Sequence, residues 1–184
     1  MPRQNRVQFD NAVYHIMNRG IDKNDIFFNN KSYEIFIELL DKLCLKFDIK
    51  IHAYCLMTNH FHILLQTPKA NLGLFMQNLG SSYAQRINKF VKRDGPLFRG
   101  RYKAKLVVDD CYFLNLNRYI HQNPYKIGLD IDDYLWSSYR TYIGVDKKKF
   151  WLDTQFTYDI LAINNDYSCY KKFVSSSVKF SPII

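Results

Sequence analysis

Two segments meet at Thr58-Asn59, and that junction constrains the fold more than any other stretch of the chain. From Ile49 to Met57 the polarity alternates, with Ile51, Ala53, Cys55 and Met57 on one side and Lys50, His52 and Tyr54 on the other. A second segment, His60 to Gln66, follows at once. Alternation with period two marks a strand, and two strands joined by a two-residue turn make an antiparallel hairpin. On either side of the hairpin the period changes to that of a helix. After Ser32, read as a helix cap, Phe36, Ile37, Leu40, Leu43 and Phe47 recur at three- and four-residue spacing to about Lys46. Residues 72–93 carry Phe75, Leu79, Tyr83, Ile87 and Phe90 on one side, and Asp94-Gly95-Pro96 stops that helix. Gly80 lies in its interior at a cost of about 1 kcal/mol relative to alanine, which predicts close packing there.

Val13 to Asn18 reads as a first strand and Leu97 to Val107 as a fourth. Asp109-Asp110 then opens a helix bearing Phe113, Leu116, Tyr119 and Ile120. It ends before Pro124, because the residue preceding a proline avoids helical geometry. The order β-α-β-β-α-β-α predicts an α+β fold, a ferredoxin-like βαββαβ sandwich with an antiparallel sheet and an added C-terminal helix. Beyond about residue 130 the signals thin to Trp136-Ser137-Ser138-Tyr139 and the run Lys147-Lys148-Lys149. The expected organisation is one domain over residues 1–143, with residues 144–184 as an extension packed on it.

Lys and Arg total 26 against 17 for Asp and Glu, a net charge of +9, which favours a polyanionic partner. The 14 tyrosines include candidates for stacking on unpaired bases, although most such rings belong in a core. Cys44, Cys55, Cys111 and Cys169 form no CxxC pair, so free buried thiols are expected and neither a zinc knuckle nor a disulfide framework. No apolar stretch reaches membrane-spanning length and the polar start is no secretory signal, so a cytoplasmic protein with no membrane partner is expected.

His60 and His62 flank Phe61 on the second strand of the hairpin, so both imidazoles point to one face. Two neutral imidazoles side by side make half of a divalent-metal site, with positions left for water and substrate oxygens. An isolated pair of this kind is also compatible with two satisfied histidines. Tyr119 and Asn123 lie four apart and share a helix face, so one helix can offer a phenol nucleophile and an amide-oxygen metal ligand. A packed tyrosine followed by an asparagine C-cap would look the same.

Taken in order, Met57-Thr58-Asn59-His60-Phe61-His62-Ile63-Leu64-Leu65, Leu97-Phe98-Arg99-Gly100-Arg101-Tyr102-Lys103 and Arg118-Tyr119-Ile120-His121-Gln122-Asn123-Pro124 resemble the HUH single-tyrosine transposases. The nearest branch by these motifs is the REP-associated, IS200-like tyrosine transposases. Tyr14-His15-Ile16-Met17-Asn18-Arg19-Gly20 resembles that branch's opening strand and Trp136-Ser137-Ser138-Tyr139 its tail segment. The resemblance implies His60, His62 and Asn123 as ligands of Mg²⁺ or Mn²⁺ and Tyr119 as the nucleophile. It also implies a 5′-phosphotyrosine intermediate that releases a 3′-hydroxyl and can be rejoined without ATP. The substrate class it implies is single-stranded or hairpin DNA, worked on by a monomer or a homodimer.

For DNA contacts, the alternation over residues 98–106 places Arg99, Arg101, Lys103 and Lys105 on one face of the fourth strand. Arg86, Lys89, Lys92 and Arg93 on the preceding helix add to the field, and together these cations would track phosphates. The alternative readings are a non-catalytic hairpin-binding regulator of the same fold and, less well supported, a metal hydrolase that would not need Tyr119.

Overall fold

In the computed structural model, which describes residues 8–176, 180 and 182, four strands form one sheet in the order β2-β3-β1-β4. They are β1 (Ala12–Arg19), β2 (Lys50–Met57), β3 (His60–Thr67) and β4 (Lys103–Val107). Every neighbouring pair is antiparallel. Helix α1 (Asn30–Phe47) connects β1 to β2, and α2 (Leu72–Phe90) connects β3 to β4. Helix α3 (Asp110–His121) follows β4, a 3₁₀ turn covers Asn123–Ile127, and α4 (Tyr139–Tyr142), α5 (Gln155–Leu161) and α6 (Tyr167–Ser175) complete the chain. The ferredoxin-like sandwich read from the sequence is the fold observed, with α3 as its added helix.

Helix α1 is capped three residues before the expected Ser32. Asn29 is the N-cap and accepts from the Ser32 backbone, while the Ser32 hydroxyl accepts in turn from the Asn29 N–H. Asparagine and serine cap about equally well, and here serine fills the reciprocal position of a capping box. The helix closes at Asp48, which adopts a left-handed conformation.

Both faces of the sheet are covered. On one, Tyr14, Ile16, Phe61, Ile63 and Leu65 pack against Phe36, Leu40, Phe75, Leu79 and Tyr83 of α1 and α2. On the other, Ala53, Cys55, Met57 and Leu64 pack against Phe113, Leu116 and Ile120 of α3. Ile51 joins the first layer and not the second, because the β2–β3 register shifts between Ile51 and Ala53. A bulge at that point inverts the alternation that places Ile51 with Ala53 in the sequence.

The outer edge of β2 is closed by the chain beyond residue 130. Leu56 N–H donates to Trp136 O, Ser138 N–H to Tyr54 O, Ile51 N–H to Trp151 O and Asp153 N–H to Ile51 O. An edge strand covered in this way cannot recruit another chain. Ile131, Tyr139 and Tyr142 share a third cluster with Tyr158, Tyr170 and Val174, so residues on both sides of position 143 build one core.

Strand β4 is shorter than the predicted 97–107. Phe98 bridges Gly20 and Lys103 pairs with Met17, so five steps of one chain lie opposite three of the other. Arg99 N–H still donates to Arg19 O, and the surplus residues that follow leave the ladder, so Arg101 sits in an excursion ahead of the strand and the four cations do not form one row along it. Cys44 and Cys55 are buried thiols as expected, whereas Cys111 is exposed and Cys169 partly so. Among the described residues no helix is long and apolar enough to cross a membrane.

Candidate active site

The start of β3 carries His60 and His62 onto the face covered by α3. Their rings lie edge to face, 5.2 Å apart between centroids. Tyr119, on α3, sits edge-on to His62 with centroids 5.4 Å apart, so the fold joins residues that are far apart in sequence. Asn123 follows the end of α3. Its amide nitrogen donates to Tyr119 O at 2.9 Å and Ile120 O at 3.3 Å, which caps the helix and leaves Oδ1 as the atom able to accept.

Two further residues belong to this centre that the motifs did not single out for a role. His15 of β1 places Nε2 2.9 Å from His62 Nδ1, with the two rings stacked, and its ring lies 6.4 Å from that of Tyr119. Lys126, in the 3₁₀ turn, holds Nζ 3.4 Å from the centroid of the Tyr119 ring and donates to Asn123 Oδ1 at 3.2 Å. Among the described residues no carboxylate pairs with Lys126, so its charge is uncompensated within the fold. The only sequence signal for His15 was the opening-strand resemblance. Lys126 lies beyond Pro124, where helical spacing no longer predicts which side chains share a face.

Electrostatics keep the imidazoles neutral. Burial lowers the His15 pKa to about 4, aided by Lys105, and holds His62 well below its usual value, with His15, His60 and Lys126 adding to the effect. Burial, with Lys126, also lowers His60. Neutral imidazole is the form that ligates metals. His60 Nδ1 lies 2.7 Å from Asn59 Oδ1 and His62 Nδ1 faces His15, so each ring is oriented through Nδ1 while Nε2 makes no hydrogen bond among the described residues. Histidines that bind metals are commonly oriented in this way, through the ring nitrogen that faces away from the ion. No three His, Cys, Asp or Glu side chains among the described residues converge as a cage. The side chains on offer are two imidazole nitrogens on β3 and, just past the end of the helix that carries Tyr119, the Asn123 oxygen, which accepts from Lys126. Burial raises the Tyr119 pKa and lowers that of Lys126 to about 8.

The proposed DNA-contacting cations fall in three places. Lys103 and Lys105 lie on the histidine face, opposite Met17 and His15 in the register, with Lys105 Nζ 4.8 Å from the centroid of the Tyr112 ring. Arg99 and Arg101 line a groove that also contains Met17, Arg19 and Lys103. Arg86 and Lys89 are on α2, across the sheet from the histidines, and Arg86 lies 3.7 Å from Glu38. These two do not join the centre. His121 is fully buried and faces away, bonded to Tyr170 and Ser138.

The family profile described as transposase, IS200 like, matches residues 8–123, a span that includes His15, His60, His62, Tyr119 and Asn123. Among solved structures, a REP-associated tyrosine transposase bound to a REP hairpin superposes with a TM-score of 0.68 at 12% identity, covering 84% of this chain and 96% of that one. A transposase-like protein from Deinococcus radiodurans matches at TM-score 0.45 and 16% identity, over 66% of this chain and 97% of its own. The tRNA(His) guanylyltransferase of Saccharomyces cerevisiae matches at TM-score 0.46 and 13% identity, over 98% and 85%. No curated protein matches significantly. With more than half its length matched by one family profile, and with the fold of a REP-associated member, the chain belongs to the IS200-like transposases.

Proposed function

We propose that this transposase nicks and rejoins single-stranded DNA beside palindromic hairpins, with Tyr119 as the attacking group. The observation that carries the reading is the Tyr119 ring edge-on to His62, 5.4 Å away, in the same chain. Tyr119 Oη bonds to the scissile phosphorus, the bond to the 3′ oxygen breaks, and a 5′-phosphotyrosine and a free 3′-hydroxyl result. The link conserves the energy of the broken ester, so attack by another 3′-hydroxyl rejoins the strand. Burial disfavours the phenolate of Tyr119, and the Lys126 ammonium over its ring supplies compensating positive charge.

His60 and His62 through Nε2, and Asn123 through Oδ1, would hold the metal ion, Mg²⁺ or Mn²⁺. When bound, such an ion supplies Lewis-acid polarisation of the phosphate. His15 positions His62 and Asn59 positions His60, so the ligand rings need not reorganise. Lys103, Lys105, Arg99 and Arg101 carry the strand to this centre through its phosphates. A solved protein of the same fold is bound to a REP hairpin, and the same class of DNA is proposed here. Nucleophile and imidazoles occupy one protomer, so a single copy can act with its own tyrosine.

The test is incubation with end-labelled hairpin oligonucleotides, including the palindromes flanking the gene, with Mg²⁺, Mn²⁺ or chelator, followed by a denaturing gel. A metal-dependent covalent adduct that disappears in Tyr119→Phe is expected. Tight hairpin binding without any adduct would instead identify a non-catalytic binder.

A further inference from the structure

The loop between β1 and α1 folds back over the β2–β3 turn. Gly20 N–H donates to Asn59 O at 2.9 Å, and the N–H groups of Ile26 and Phe27 donate to Thr58 O at 2.8 and 2.9 Å. Gly20 is a glycine the fold requires, because a Cβ there would fall 2.0 Å from Asn24 O. At Gly80 a Cβ would meet nothing within 4 Å, so the close packing expected inside α2 is absent. Between its anchors the loop places two non-glycine residues in the left-handed region, Asp22 with φ of 51° and Lys23 with φ of 62°. Both are exposed, so burial of their side chains does not offset the cost of that backbone. Backbone of this kind persists only where the surroundings hold it, and it concentrates at functional sites.

What the turn presents is the carbonyl of Lys23. Asn59 Nδ2 donates to Lys23 O at 3.1 Å, while Asn59 Oδ1 lies 2.7 Å from His60 Nδ1. A carbonyl oxygen only accepts, so Asn59 turns its amide nitrogen to Lys23 and its oxygen to His60. That oxygen also only accepts, so His60 Nδ1 carries the hydrogen and Nε2 keeps its lone pair. A neutral histidine free in water prefers the opposite tautomer, with the hydrogen on Nε2. Without Lys23 O the amide could equally turn its nitrogen to His60, and Nε2 would then hold the hydrogen and could not ligate. His62 has no such one-way partner, because His15 Nε2 can either give or take a hydrogen.

We propose that Lys23 is a positioning residue that fixes the tautomer of His60 through Asn59, by the left-handed turn of its backbone and not by its charge. The relay deepens the reading above and rests on it, since the Nε2 it frees is the atom assigned to the ion. It gives a role to an exposed lysine that lies outside every motif of the sequence and holds a costly conformation.

Two substitutions separate backbone from charge. Lys23→Gly removes the ammonium and accepts a positive φ freely, whereas Lys23→Val removes it and disfavours that φ. Two-bond ¹H–¹⁵N spectra of the full-length, metal-free protein at about pH 8 report which nitrogen of His60 carries the hydrogen. The His60 signals are assigned by their loss in His60→Gln, and the amide spectrum away from the loop reports that the fold is kept. Wild type and Lys23→Gly should hold the hydrogen on Nδ1, while Lys23→Val and Asn59→Leu should shift it towards Nε2. Mn²⁺ affinity, read from the paramagnetic resonance of the free ion, should fall about 10- to 100-fold in those last two and stay level in Lys23→Gly. A wild-type tautomer in Lys23→Val, or equal losses in Lys23→Gly and Lys23→Val, overturns the relay and leaves the cleavage reading intact. A tautomer that moves with no change in Mn²⁺ affinity would mean that His60 is not a ligand, and the metal reading above would fall with the role of the relay.

Discussion

His52 makes the stability of this protein depend on pH, and the size of the effect follows from its surroundings. The side chain is fully buried at the β2 bulge, between Phe113 and Phe156, whose ring centroids lie 5.2 and 5.0 Å from its own. Nδ1 meets Asp153 O at 3.3 Å, and Nε2 has no partner among the described residues. Burial lowers the pKa from 6.5 to about 4, with Asp153 opposing the shift and Lys50 adding to it. A depressed pKa means that the unfolded chain takes up a proton which the folded chain refuses. The associated stability is complete above pH 6.5 and is lost as the pH falls towards 4. At pH 5 the unfolded histidine is nearly all protonated and the folded one is not. Each pH unit below 6.5 in which only the unfolded chain holds that proton costs about 1.36 kcal/mol, so the loss between pH 8 and pH 5 is about 2 kcal/mol. His52→Phe keeps a flat ring between Phe113 and Phe156 and cannot titrate. Urea unfolding of both proteins at pH 8 and pH 5 isolates the contribution, since every other histidine cancels in the comparison. The wild type should lose about 2 kcal/mol more than the variant, or about 1 M in urea midpoint for a slope near 2 kcal/mol/M. Losses that agree within about 0.5 kcal/mol would refute the argument.

Replacing Lys126 by Met should slow adduct formation by about 10- to 100-fold, the value of one charge-assisted contact, while hairpin affinity changes little. Single-turnover rates check this, and an unaltered rate would remove Lys126 from the reaction. Tyr170→Phe deletes a buried hydroxyl that donates to Asn117 Oδ1 and lies 2.7 Å from His121 Nδ1. The expected loss of stability is about 1–3 kcal/mol. An unchanged thermal melt would mean that the contact carries no weight.

What the sequence disclosed was what periodicity encodes. The β2–β3 hairpin, α1, α2 and α3 were legible because each repeats its apolar residues at the spacing of its own structure. Ile51 falls on the wrong face in that reading because one extra residue in a strand inverts the alternation without changing the composition. Arg99 and Arg101 continue the alternation of β4 on paper, yet the pairing of Phe98 with Gly20 leaves surplus residues between Arg99 and Lys103, and Arg101 falls outside the ladder. The ordered motifs placed Tyr119 near His62. They could not reveal His15, which joins the centre through the β1–β3 register, or Lys126, whose position depends on a turn after Pro124.

The chain beyond residue 130 was the least legible part, and it bears most directly on the geometry of the centre. Tyr119 projects from one side of α3, while Asn117 and His121 project from another into a buried polar network. Asn117 Nδ2 donates to Thr157 Oγ1 at 3.0 Å and Asn117 Oδ1 accepts from Tyr170 at 2.5 Å. Tyr170 has one hydroxyl proton and gives it to Asn117, so His121 Nδ1 must carry the hydrogen shared with Tyr170. His121 Nε2 then accepts from Ser138 Oγ at 2.7 Å. That tautomer is neutral, in accord with burial lowering the His121 pKa to about 3. Tyr142 extends the network by donating to His52 O, which ties it to the bulge of β2. Arg118 Nε adds a bond to Phe173 O of α6. Composition predicts none of this, because each partner is an ordinary Tyr, Ser, Thr or Asn until the fold brings them together. Withdrawing α3 from its own chain would strand several buried polar groups, at about 1–3 kcal/mol each. The chain beyond residue 130 therefore holds α3 against β2 and β3 of the same protomer, and with it the distance between Tyr119 and His62.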